Sequence, residues 1–367
     1  VRRVAVLERE VSLLEPIFDC GVRDAPRPAI QISRVDHVTV IACRDSVQQI
    51  SSTLLHNIGL VVESGDAQTF TQLVTCYDLI YNSGCLSDAD KVLIENGAFR
   101  EAVRLFTATS PAGCCINDGP YAMTCGALLG AILGDHEAVK WAVSPPDGFL
   151  GFIRKYFLRD GHWEDGTFSY EQMSLGPLYG CPEVLQGYSD PPEYTAADRY
   201  DKLDLLSDPI LRKIYLAPLR VLMPDGTGIP FSDSASGARP NKQHAETNYF
   251  WYPTPENRRV LAWVYEGKYN EAGGEYALFR RDPEADLSKE VPLDLSAEST
   301  VRPGVGWALL RTGTGKDAAG LYFKSGVYGS GHGHDDKLNI IYYDNGAELI
   351  SDQGYLGARH EFTTWNH

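Results

Sequence analysis

Gly331-His332-Gly333-His334-Asp335-Asp336 is the densest run of chemically capable groups in the chain. Two imidazoles at i and i+2 project to the same side of an extended segment, and the glycines let the backbone approach a ligand closely. Strand-like runs at 337–343 and 347–351 then flank Asp344-Asn345-Gly346, a strong hairpin turn, and lead into Ser351-Asp352-Gln353-Gly354-Tyr355. The hairpin folds the two runs side by side, so His332, His334 and Asp352 are expected at one end of it. Neutral imidazole and carboxylate together form a normal zinc ligand set. The alternative is a polar Gly/Asp turn with solvated histidines.

Two further stretches carry groups suited to proton transfer and anion binding. Asp160-Gly161-His162-Trp163-Glu164-Asp165-Gly166-Thr167-Phe168-Ser169-Tyr170 ends in a phenol that could carry a proton. Without its surroundings Tyr170 would read as one packed aromatic among 20 tyrosines. Ile116-Asn117-Asp118-Gly119-Pro120-Tyr121 opens a helix. There Asn117 could meet a substrate carboxylate, or Asn117 or Asp118 could simply cap the helix.

The elements that must hold these groups fall into two textures. Helical periodicity recurs over 45–58, 69–81, 88–106, 121–133, 137–143, 147–158, 209–222 and 256–265, separated by Gly/Pro/Asp loops. Ser87-Asp88-Ala89-Asp90 is a helix start with acid in the first turn. Antiparallel helices on short loops suggest an α/α toroid or incomplete helical barrel, with a plain bundle as the other solution. After about 290 the pattern becomes β-rich, with strands expected at 304–312 and 318–324 before the hairpin. The expected fold class is α+β and multidomain, with a helical catalytic domain over 1–290 and the start of an antiparallel β-sandwich over 291–367.

A chain of 367 residues, 43% of them hydrophobic, can bury a core of two domains. Its 33 basic and 49 acidic residues give a net charge of −16, which argues against nucleic acid as a partner. A polyanionic substrate would need a local cationic or hydrogen-bonding cleft to overcome this repulsion. No run of 18 apolar residues is present, so no membrane span is expected. The eight cysteines form no CxxC pair and read as buried thiols. The chain starts at Val1 without a signal pattern, as if a leader had been removed or the start trimmed.

The run from His332 to Tyr355 resembles the characteristic segment of the heparinase II/III-like family, a His-x-His-Asp-like start, two strands and a closing Asp-x-Gly. The resemblance implies a polysaccharide lyase built on an α/α toroid followed by a β-sandwich, acting on an anionic polysaccharide and secreted or periplasmic. It implies a divalent metal of the zinc type on His334 and Asp352, with His332 facing the cleft. A third metal ligand would be a histidine just beyond His367, with His360 and His367 as fallbacks. Tyr170 matches the family's catalytic acid/base and Asn117 its carboxylate-binding amide, making Tyr170, Asn117 and His332 the catalytic set. Asp118 stands where some relatives carry a histidine, which favours syn elimination on a D-glucuronate-like, mannuronate or guluronate unit. Trp163, Asn248 and Tyr355 are the substrate-binding candidates, with Tyr249 and Trp251 as further possible platforms.

In such a lyase the proton on C5 of a uronate is removed and the group on O4 expelled. The C5 proton is too weakly acidic unless the adjacent carboxylate is neutralised and the developing enolate-like charge is stabilised. A phenol ionises near pH 10, so Tyr170 would need a cationic neighbour or a metal-ordered histidine to act as a base. Two other readings stay open on the residues alone. One is a glycoside hydrolase using a carboxylate pair such as Glu164 and Asp165. The other is a non-catalytic glycan-binding protein whose His-Asp cluster is a structural metal site. Glycosaminoglycan, alginate and ulvan are all candidate polymers.

Overall fold

The computed structural model describes residues 31–35, 38–42, 67–82, 84, 86–108, 118–266, 268–269, 281, 286–315, 318–326, 332–334 and 337–355. The chain divides into two compact units, 1–149 with 180–204, and 150–179 with 205–367. The helix expected over 45–58 lies outside the described residues.

The first unit begins with an antiparallel pair, β1 (Gln31–Val35) and β2 (Val38–Ala42). Helix α1 (Ala67–Ile80) follows, then α2 (Asp88–Leu93). The Ser87 hydroxyl accepts from the Asp90 amide while the Asp90 carboxylate accepts from the Ser87 amide, a reciprocal cap that fixes the helix start. The single helix expected over 88–106 is interrupted by a π-helical stretch, Ile94–Phe99, before α3 (Arg100–Thr107) resumes. Phe99 is buried there, its ring edge-on to Tyr77 at 4.9 Å. Helix α4 (Gly119–Leu133) has proline at its start and ends on Gly134 at φ 61°. It packs on α5 (His136–Val143) at close range: a Cβ on Gly126 would lie 2.7 Å from the Trp141 ring. Cys125 and Cys181 are buried free thiols, as expected of structural cysteines.

The second unit holds α6 (Phe149–Tyr156, from residue 150 on), α7 (Phe168–Leu178), α9 (Leu211–Ile214), α10 (Lys242–Trp251) and α11 (Pro255–Tyr265); α8 (Gly180–Val184) belongs to the first. The periodic run at 209–222 is not one helix but α9 and a 3-10 turn, Pro218–Val221, because Pro218 cannot donate to the preceding turn. The sheet is an antiparallel meander of β3 (Thr300–Arg302), β4 (Trp307–Thr312), β5 (Ala319–Lys324), β6 (Asn339–Asp344) and β7 (Ala347–Ile350), in sequence order. Period-2 alternation turns Trp307, Leu309, Tyr322, Ile341 and Tyr343 onto Val221, Met223, Ile229 and Phe231. The sheet shares a compact unit with α7, α10 and α11. Helices with an antiparallel sheet make the chain α+β. Among the described residues no helix is long and apolar enough to cross a membrane.

Candidate active site

Three chain segments of the second unit converge on Ser234. The first is the start of α7. Thr167 gives it no side-chain cap, so the Phe168 amide donates to Ser234 Oγ at 2.7 Å. The Ala235 amide returns a bond to Ser169 Oγ at 2.9 Å. The second segment is the 232–235 loop itself, with Ser232 at φ 58°. The third follows β7, where the Tyr355 amide donates to the Ser234 carbonyl at 3.0 Å. Gly354 makes that approach possible: its φ is +62°, and an added Cβ would lie 2.4 Å from the Ser234 carbonyl oxygen.

Asp233 is the buried centre of this junction. Its Oδ2 lies 3.0 Å from His332 Nδ1 and its Oδ1 lies 2.9 Å from His334 Nε2. One carboxylate therefore orients both imidazoles, and the Asp233 amide also donates to the His332 carbonyl at 3.2 Å. The His332 side chain remains 29% exposed whereas that of His334 is 6% exposed, so only the first presents its ring outward. Below them the buried Lys324 ammonium donates to Ser232 Oγ at 2.7 Å.

Tyr170, in the first turn of α7, stacks on His332 with centroids 3.5 Å apart and planes 12° from parallel. Its hydroxyl is hydrogen-bonded to Tyr355, whose side chain is partly open to solvent. Burial first, then the charges of Tyr355 and Asp233, raises the Tyr170 pKa above the ordinary phenol value. Among the described residues, the charges that act on Tyr170 are those of Tyr355, Asp233 and Asp165, none of them cationic.

The structure thus brings together Tyr170, His332, His334 and Tyr355 from two motifs far apart in sequence. Asp352 lies at the same hairpin end, accepting from Asn339 Nδ2 at 2.6 Å and from the Gly354 amide at 2.7 Å. Among the described residues no group of three or more His, Cys, Asp or Glu is arranged to hold a metal ion. His334 and Asp352 would be two donors of such a set, and the third donor expected at or after His360 lies outside the described residues, as does Asn117. Asp118 is described and makes no side-chain capping bond to α4.

Two substrate-binding expectations are corrected. Trp163 is 1% exposed, packed among Phe152, Tyr156 and Phe157, with its indole N–H donating to Asp165 at 3.0 Å, so it is core and not a sugar platform. Asn248 is also 1% exposed, on the buried face of α10, where its Oδ1 has no hydrogen-bond partner and it presents no open surface to a sugar. Asp165 is buried beneath that indole, so the Glu164/Asp165 pair does not open together into a cleft. Sequence reasoning missed Asp233, Ser234 and Lys324. The only signal was the polar triplet Ser232-Asp233-Ser234 after an apolar run, which is also the signature of an ordinary loop.

Residues 296–367 match the family Heparinase II/III-like, C-terminal. The chain is 25% identical over 307 residues to an alginate lyase of Stenotrophomonas maltophilia, covering 79% of this chain and 38% of that protein. It is 23% identical over 291 residues to an exo-oligoalginate lyase of Saccharophagus degradans, covering 76% of this chain and 37% of that one. The chain therefore spans well under half the length of these relatives. In three dimensions it resembles heparinase III (TM-score 0.52, 15% identity, 95% of this chain and 47% of that one). The heparan sulfate lyase HepC of Pedobacter heparinus is similar at TM-score 0.50 and 15% identity, over 82% of this chain and 42% of that one. Residues 296–367 thus match the C-terminal part of the heparinase II/III-like family, and the fold of the chain is similar to that of heparinase III.

Proposed function

We propose that the protein is a polysaccharide lyase that cleaves a uronate polymer by β-elimination, with Tyr170 as its proton carrier. The observation that carries this reading is the Tyr170–His332 stack held against Asp233, which joins a proton-bearing phenol to an oriented, partly open imidazole. In the reaction the C5–H bond breaks, the electron pair forms the C4–C5 double bond, and the O4 group leaves with a proton. The raised pKa of Tyr170 keeps the phenol protonated at neutral pH, which suits donation to the leaving oxygen. For Tyr170 also to take the C5 proton, the bound substrate or a group outside the described residues must supply the stabilisation that the site itself lacks. Asn117 is the proposed amide partner of the substrate carboxylate. The helical part is proposed to be an α/α toroid, as in the sequence expectation. Both curated relatives named above are alginate lyases, so alginate is the first polymer to test, ahead of glycosaminoglycans and ulvan. An exported location, secreted or periplasmic, belongs to the same proposal.

The test is product absorbance near the ultraviolet band of an unsaturated uronate, measured across a panel of uronate polymers. Growth of that band on at least one polymer is expected. Saturated reducing ends alone, on every polymer cleaved, would replace the lyase with a hydrolase, and binding without cleavage would replace it with a glycan-binding protein.

A divalent metal of the zinc type on His334 and Asp352 is part of the proposal, and when bound it would hold the hairpin end closed. Elemental analysis of protein purified without chelators should find about one metal per chain. His334→Ala should lose that metal and lower the melting temperature. A wild-type chain free of metal after zinc supplementation would remove the metal from this reading.

A further inference from the structure

Away from Tyr170 and the histidine pair, the second unit contains a cavity of about 290 Å³ whose walls are strongly cationic. Arg212 and Lys213 reach it from α9, Arg220 from the 3-10 turn, Arg302 from the end of β3, and Arg159 from the turn after α6. The one carboxylate in the wall is Asp160: its Oδ2 accepts the amides of Gly304 at 2.7 Å and Val305 at 3.2 Å, and its Oδ1 is buried with no hydrogen-bond partner. Arg220 has Glu256 only at 4.0 Å, and that glutamate is mostly exposed. Arg212 is steadied by the Tyr252 ring, 5.1 Å below its guanidinium, and Lys213 donates to the Arg159 carbonyl at 3.4 Å.

Five cations around a single carboxylate is an unbalanced arrangement in a chain with a net charge of −16. Composition does not explain it, because acids outnumber bases elsewhere. Arg302 feels the cost directly. Its Nε is buried with no hydrogen-bond partner, and burial and the charge of Arg220, only partly offset by Asp160, hold its pKa below the ordinary guanidinium value. An anion in the cavity would supply both the missing acceptor and the missing counter-charge. The volume lies at the small end of ligand sites, suited to one sugar residue or a free anion and too small for an oligomer.

We propose that this cavity is an oxyanion-binding site, taking the carboxylate or sulfate of a single acidic sugar or a free inorganic oxyanion. Arginine forks match both planar and tetrahedral oxyanions with paired hydrogen bonds. Binding is read without turnover, so the result does not depend on the lyase reading.

The test is calorimetric titration of the full chain with glucuronate, with acetate and with inorganic sulfate, at low and moderate salt. Wild type and Tyr170→Phe should bind alike. Arg302→Ala should weaken binding about 10-fold or more, the loss expected for one charge-assisted pair. Arg212→Glu, a change at an exposed side chain that leaves the core alone, should weaken it comparably and keeps the test valid if Arg302→Ala unfolds. Glucuronate binding well above acetate and sulfate identifies a sugar acid as the ligand; sulfate binding as tightly as glucuronate identifies a free-anion site. No binding of any probe to wild type at millimolar concentration, or binding unchanged by both arginine substitutions, overturns the proposal.

Discussion

A phenol that holds its proton more tightly than in water is a poor resting base and a good resting acid. That is the state of Tyr170, half-buried, stacked on His332 and raised further by the negative charge of Asp233. Tyr170→Phe keeps the ring and its stacking while removing only the hydroxyl proposed to carry the proton. Turnover should fall at least 10²–10⁴-fold, the usual worth of a general acid or base, with KM nearly unchanged because the lost interaction belongs to the transition state. Near-normal kcat in this variant would make Tyr170 a packing residue. Asp233→Asn tests the orientation of the imidazoles, since an amide can accept from one ring only by turning a donor toward the other. A loss of about 10–100-fold in kcat is expected, as for other groups that orient a functional histidine. Tyr170, His332, His334 and Asp352 were singled out in the sequence by their glycine-rich settings and by the family resemblance around them, and the structure places Tyr170 on His332 and both histidines on Asp233. Asp233 was not, because its partners are remote and its own neighbourhood reads as a loop.

At the scale of elements, the strands were easier to read than the helices. The Asp344-Asn345-Gly346 turn sets Asp344 opposite Ala347 as expected, although a bulge then places Tyr342 opposite Ile350. Helices α7 and α10 were missed. In α7 the apolar stripe is broken by Gly176 and Pro177, and its stability comes from the Ser234 tie and not from its own periodicity. In α10 the buried face is polar, made of His244, Glu246, Thr247 and Asn248, which defeats a hydrophobic reading. Burial pushes the His244 pKa down from 6.5 to about 4. An unfolded chain would take up a proton on this ring below pH 6.5 while the folded one would not. Stability from this residue is therefore full above pH 6.5 and is lost as pH falls toward 4, on the order of 3 kcal/mol in all. His244→Phe should flatten that part of the stability profile, measured by urea unfolding at pH 7, 5.5 and 4.5. An unchanged slope would assign the acid sensitivity elsewhere.

For the whole molecule, the change from helical to β texture near 290 was visible because the residue period changes there. What no local pattern could show is that the sheet folds into one compact unit with α7, α10 and α11. The bonds that build the site are correspondingly remote: Asp233 meets the two histidines across 99 and 101 residues, and Phe168 meets Ser234 across 66. Closing loops of that length costs conformational entropy before any contact repays it. During refolding from urea, helical ellipticity should therefore return first and the catalytic constellation last, so activity should lag the far-ultraviolet signal. Recovery of both at one shared rate would mean that the long-range clasp forms together with the helices. A nascent chain can make most of its helices as they emerge, but it cannot assemble this site until the histidines between β5 and β6 have found an aspartate synthesised about a hundred residues earlier.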